Sequence, residues 1–159
     1  MMKNWIIFIV LVAALAGCAT TAEKMEREAR TAAQVSEALG SRHFTVQVMM
    51  MYPQRGRTVN LTSNYSVEVK GDTLISYLPY FGRAYNVPYG GGKGLNFMAP
   101  ITGYRTETGR KGATRVVLTT ENDEDRYQYV LEISSSGESF VEVQSRQRDF
   151  IRYSGRMDL

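Results

Sequence analysis

The sequence predicts an all-β domain, an antiparallel meander of about eight strands closing into a barrel and preceded by one N-terminal helix. Three observations predict it. Beyond Arg42, apolar residues recur at every second position, as in Phe44, Val46, Val48 and Met50, and again in Tyr127, Tyr129, Leu131 and Ile133. Short polar turns separate these runs, among them Gly71-Asp72, Gly109-Arg110-Lys111-Gly112 and Ser135-Ser136-Gly137-Glu138. Upstream of them, the spacing changes from two to three and four, the period of a helix.

The chain starts with a leader. Lys3 is followed by an unbroken apolar run from Trp5 to Leu15, then by small residues leading to Cys18. This is the order of a signal peptide's charged, apolar and cleavage regions, and the run is too short for a bilayer-spanning helix of roughly 20 residues. Leu15-Ala16-Gly17-Cys18 matches the lipobox of bacterial lipoproteins, in which the cysteine thiol is acylated and the cysteine becomes the first residue. Cys18 is then the lipid attachment point. Removal of residues 1–17 leaves 142 of the 159 residues and, with Lys3 the only charge lost, a formal balance of +2 against +3 for the whole chain. That length supports one ordinary domain with its own core. Charges of both signs are scattered along it, which gives no case for a nucleic-acid partner.

Residues 18–22 form a short lipidated tether, and residues 23–40 the helix, with Met25, Ala29, Ala32, Ser36 and Leu39 as its weakly apolar stripe and Gly40 as a left-handed cap. So narrow a stripe places the helix against the surface or an end of the domain. Residues 41–159 are a single β domain. Its strands run from Arg42, from Tyr65 to Lys70, Thr73 to Tyr80, Ile101 to Glu107, Thr114 to Thr120, Arg126 to Ser134, Ser139 to Ser145 and Phe150 to Ser154. Clean alternation leaves one face of each strand solvated, and eight strands enclose an interior that side chains fill or that holds one small ligand.

The segments Met51-Tyr52-Pro53-Gln54-Arg55-Gly56-Arg57, Tyr77-Leu78-Pro79-Tyr80-Phe81-Gly82-Arg83-Ala84-Tyr85 and Ile151-Arg152-Tyr153-Ser154-Gly155-Arg156 resemble the domain-of-unknown-function 4251 (DUF4251) family. The resemblance covers about Val35 to Arg156. It implies a small exported lipoprotein of anaerobic bacteria with a lipocalin-like β-barrel, and it brings no activity, substrate or catalytic residue with it.

Binding residues are expected between Tyr77 and Phe97. Tyr80, Phe81, Arg83, Tyr85 and Tyr89 stand beside the glycine run Gly90–Gly94, and rings with polar tips around a guanidinium suit a small amphiphile, a glycan or a protein partner. The opposing reading makes these rings packing for a buried strand and an open barrel end. The glycine run is no phosphate loop, because Val87 and Gly94 stand where that motif requires a glycine and a hydroxyl residue. Arg55 and Arg57, on either side of Gly56 in a turn, form a candidate anion clamp. Asp72-Thr73-Leu74 resembles an acceptor for O-linked glycans, with Thr73 the modified residue. Asp123-Glu124-Asp125 lacks the ligand spacing of a calcium loop.

No catalytic or metal site is expected and no cofactor. His43 is the single histidine, and with Cys18 acylated no Cys/His ligand set remains. The function expected from sequence is therefore non-enzymatic binding by a lipoprotein of the bacterial envelope, held at the outer membrane through the lipid on Cys18. A structural or interaction module with a filled barrel is the first alternative, and an envelope hydrolase using carboxylates the second.

Overall fold

A computed structural model describes residues 2–85 and 92–159, with side chains from Thr21 onward. Helix α1 (Met2–Ser41) precedes eight strands: β1 (His43–Pro53), β2 (Val59–Lys70), β3 (Thr73–Leu78), β4 (Leu95–Thr108), β5 (Thr114–Glu121), β6 (Arg126–Ile133), β7 (Glu138–Ser145) and β8 (Ile151–Asp158). Each strand pairs antiparallel with the next, and β8 returns to β1, so the barrel is closed in the up-and-down order expected of a lipocalin-like architecture. Closure leaves no sheet edge to pair with another chain.

The alternating residues do face inward. Phe44, Val46 and Val48 are buried on β1, Val67 and Val69 on β2, and Tyr127, Tyr129, Leu131 and Ile133 on β6. On β1 the expected sequence of buried positions fails after Val48, because a bulge separates Val48 from Met50 in both of its pairings. One extra residue reverses the facing of everything beyond it. Met51 is therefore buried, in place of Met50, and Met49 stands out in solvent. Gly155 lies opposite Val48, so close that a Cβ there would collide with the Gln47 carbonyl oxygen and come within 2.7 Å of the Val48 Cα. Ser154 and Gly155 thus stand in the middle of β8, which runs past the Ser154 end expected from sequence to Asp158. A second bulge, between Ile101 and Gly103, bends β4.

The helix departs from expectation in extent and in facing. It is continuous from Met2, so residues 18–22 are helical, whereas the sequence predicted a tether there. Met25, Ala29 and Ser36 of the expected stripe are exposed. Leu39 of that stripe is docked as expected, but its partner one helical turn back is Val35, with Ala38 packed beside them. Among the described side chains of α1, only those of the last two turns enter the core, where they cover one end of the barrel. Gly40 is helical, and the left-handed residue that ends α1 is Arg42 (φ 55°). Contacts on every side hold it there: Arg42 N–H donates to the Leu39 carbonyl at 3.3 Å, its carbonyl accepts from Gly71 N–H at 2.8 Å, and its guanidinium pairs with Asp72 at 3.1 Å. The same guanidinium lies 4.5 Å from the Tyr104 ring centroid.

Strand order fixes two distinct ends. The connections at 71–72, 109–113 and 134–137 share the end that α1 covers, and those at 54–58, 79–85 with 92–94, 122–125 and 146–150 form the opposite rim. Leu39→Ala is expected to cost about 2–5 kcal/mol, the range for a buried leucine, while Met25→Ala stays within about 0.5 kcal/mol as an exposed substitution does. Urea denaturation midpoints compare the two directly, and equal shifts would show that α1 is not docked.

Candidate functional site

The rim rests on the barrel's interior. Tyr127, Tyr129 and Tyr153 are fully buried there with Met51, Leu74, Leu78, Leu95 and Leu118, so side chains occupy the space a ligand would need. A buried hydroxyl must find an acceptor or lose about 1–3 kcal/mol. Tyr129 donates to Ser76 Oγ at 2.9 Å, and Ser76 in turn to the Leu95 carbonyl at 2.7 Å. Tyr153 donates to the Pro79 carbonyl at 2.6 Å, and Tyr127 reaches the Gly94 carbonyl at 3.4 Å. All three rings thus grip the two stems of the connection between β3 and β4. Burial raises the pKa of each phenol, most strongly for Tyr129 and Tyr153.

The first stem ends β3 at Leu78, short of the Tyr80 expected from sequence, because Pro79 has no N–H for the ladder. Tyr80 is half-buried, and its hydroxyl lies 2.9 Å from the Arg83 carbonyl and 3.0 Å from that of Asp149. Ala84 then bridges to Arg148, Tyr85 N–H donates to the Gln147 carbonyl at 2.7 Å, and Asp149 N–H to the Arg83 carbonyl at 3.0 Å. Tyr85 hydroxyl donates to the Asp149 carboxylate. This bond, assisted by Arg55 and Arg83, holds the Asp149 carboxyl below its ordinary pKa; the same bond and the Asp149 charge raise the pKa of Tyr85 against the pull of the two guanidiniums.

The second stem is tied to the turn between β5 and β6. Lys93 N–H donates to Glu124 at 2.8 Å, and its ammonium pairs with Asp123 at 2.9 Å. Hydrogen bonding to Lys93 lowers the pKa of Asp123, and the reciprocal bond raises that of Lys93. Glu124 and Arg148 join the two halves in a pair 3.6 Å apart, with side chains only 10% and 8% exposed. The Arg148 guanidinium also lies 5.5 Å from the Tyr80 ring centroid. Asp125 accepts from Gln147 N–H at 3.1 Å and from Arg126 N–H at 2.7 Å, so its carboxylate fastens one turn to the next.

The sequence-selected residues divide accordingly. Phe81 and Tyr85 are 61% and 68% exposed, and with Arg83 they form an outward-facing aromatic rim. Tyr89 lies outside the described residues. Tyr77, on β3, points outward, and its ring centroid lies 5.2 Å from that of Tyr65. Arg55 and Arg83 both act on Asp149, and Arg57 is exposed in the same turn as Arg55. Thr73 opens β3 directly after the Gly71-Asp72 turn, half-buried at the opposite end. His43 is exposed, its Nδ1 2.8 Å from the Ser41 carbonyl oxygen. Sequence reasoning missed the Glu124–Arg148 pair, whose partners lie in two different turns.

The profile of the family described as "Domain of unknown function (DUF4251)" matches residues 26–157. The chain belongs to the DUF4251 family. Its barrel is similar to the crystal structure of a DUF4251 family protein from Bacteroides eggerthii, with a TM-score of 0.60 at 17% identity over 80% of this chain and 86% of that one. No curated protein matches the sequence. Within the DUF4251 match fall the three buried tyrosines, the rim and both loops that brace it, while Cys18 lies upstream of it.

Two measurements test how this DUF4251 rim is held. Tyr153→Phe leaves the Pro79 carbonyl without its donor, and a loss of about 1–3 kcal/mol is expected, together with faster amide exchange at Arg83 and Tyr85. Unchanged exchange would separate the core from the rim. The second concerns pH. Because folding depresses the Asp149 pKa, its contribution is complete above the ordinary carboxyl value of about 3.9 and is lost as pH falls through the lower folded value. The Tyr85 ring resonances should therefore titrate below pH 3.9 or so, and Asp149→Asn should abolish that step.

Proposed function

We propose that this protein is a lipid-anchored binding module of the bacterial envelope, with a solid barrel that recognises its partner on the exposed rim. What carries the reading is the filled interior combined with the placement of Phe81, Arg83 and Tyr85 at the end opposite α1. An anchor at Cys18 lies on the far side of the helix. Residues 21–30 are exposed along α1, and at about 1.5 Å per residue the helix from Cys18 to Val35 gives a stalk of about 25 Å between lipid and barrel. The rim then faces away from the membrane.

Exposed aromatics beside a guanidinium are the composition of interface hot spots. Bracing by Tyr80, Asp149 and Arg148 sets the Phe81 and Tyr85 rings in place before contact, which lowers the entropy lost on binding. The preferred partner is an envelope protein or a glycan met edge-on, since the interior offers no room for an amphiphile. Hydrolysis has less support. Asp125 is spent on backbone N–H groups and Glu124 on Arg148 and Lys93.

Cys18→Ala is expected to leave an unprocessed precursor that is not acylated, read by the mass of the N-terminal peptide; normal processing of that variant would overturn the anchor. Phe81→Ala combined with Tyr85→Ala should shift the denaturation midpoint little, since both rings are exposed, while removing proteins or glycans that co-purify from native membranes. A doubly substituted protein that unfolds like a core deletion and loses no bound species would leave the rim as packing alone.

A further inference from the structure

The outer wall carries a second surface that the rim does not use. A groove of about 680 Å³ runs over strands β5 to β8, lined by Arg110, Arg115, Arg152, Glu132, Glu142 and Phe140 above a floor that includes Val130. Strand register explains how these residues meet. Arg115 stands opposite Glu132, Glu132 opposite Phe140, Val130 opposite Glu142, and Glu142 opposite Arg152, all on outward positions.

Two observations set this groove apart from an ordinary charged wall. None of its three arginines makes an ion pair among the described residues, although Glu132 stands opposite Arg115 and Glu142 opposite Arg152. Glu142 is engaged by Gln144 at 2.6 Å. Moreover, Nε of Arg115 is buried without a hydrogen-bond partner among the described residues, so no protein acceptor there offsets the cost of its burial. Phe140, next to these charges, is 60% exposed.

We infer that this groove binds an acidic saccharide, a polyhydroxylated ring bearing a carboxylate or phosphate. The arginines supply forked donors for the anion. Glu132 and Glu142 accept from ring hydroxyls, and Phe140 offers a flat apolar face to the ring's C–H side. Each rival ligand leaves part of the lining unused or opposed. A bare phosphate would gain the arginines but meet two carboxylates with nothing to donate to them. A fatty acid would need a continuous apolar channel, and the apolar outward side chains here are Val130 and Phe140.

Isothermal titration of the acyl-free domain with tri-galacturonate, tri-glucuronate and glucose 6-phosphate tests the assignment, with galactotriose, decanoate and an oligo-glutamate peptide as contrasts. Binding of at least one acidic sugar, and none of galactotriose, is expected. Arg115→Gln and Arg152→Gln should each weaken that binding about tenfold, and Phe140→Ala should weaken it as well, while all three variants keep the wild-type circular dichroism. Tyr85→Ala should bind the sugar normally, which distinguishes failure of this groove from failure of the rim. Heat from decanoate or from the peptide alone, no response to any acidic sugar at millimolar concentration, or affinity unchanged in both arginine variants would overturn the inference.

Discussion

Three buried phenol hydroxyls set the terms on which this barrel closes. Eight strands leave an interior wide enough to demand large side chains, and Tyr127, Tyr129 and Tyr153 fill it. A phenylalanine would fill nearly the same volume without a polar atom to satisfy. Tyrosine instead obliges the structure to bring acceptors inward, and those acceptors are Ser76, Pro79 and Gly94, which flank the connection between β3 and β4. The packing of the core and the position of the rim are therefore one problem with one solution. A change in the ring stack is felt at the stems, and the stems carry Phe81, Arg83 and Tyr85.

Most of the fold was legible because the alternation in the chain is strong and the turns are marked by glycine and short polar residues. Departures have local causes. At Met49 a single inserted residue changes which methionine is buried, and periodicity has no means of registering a bulge whose partner is Gly155, more than a hundred positions away. Gly40 is the natural cap by composition. Contacts with Leu39, Gly71, Asp72 and Tyr104 override propensity and place Arg42 in the left-handed conformation instead. The helix was legible as a helix and Leu39 as one of its buried residues, but Val35 was not, since it is selected by the opening it covers.

The candidate site was legible in part for a related reason. Rings and arginines clustered in one segment, as Phe81, Arg83 and Tyr85 do, announce themselves in sequence. What makes them a surface does not, because Asp149, Arg148 and Glu124 come from two other turns and meet the segment only in the closed barrel. The outer groove was invisible for the same cause in stronger form: its lining is spread over four strands, and each residue alone reads as an ordinary solvated position of an alternating strand.

A solid barrel constrains where binding energy can come from. A ligand inside would have to replace side chains that already bury their apolar surface, so it would gain little beyond what the core holds. On the rim and the outer wall the balance differs. Phe81, Tyr85 and Phe140 still expose more than half of their surface, and Arg115 Nε has no acceptor among the described residues, so apolar area and donor capacity remain unspent there. The same reasoning bears on the helix. If α1 covers one end with Val35, Ala38 and Leu39, its exposed residues 21–30 contribute nothing to the core, and that length is free to act as a spacer ahead of the barrel.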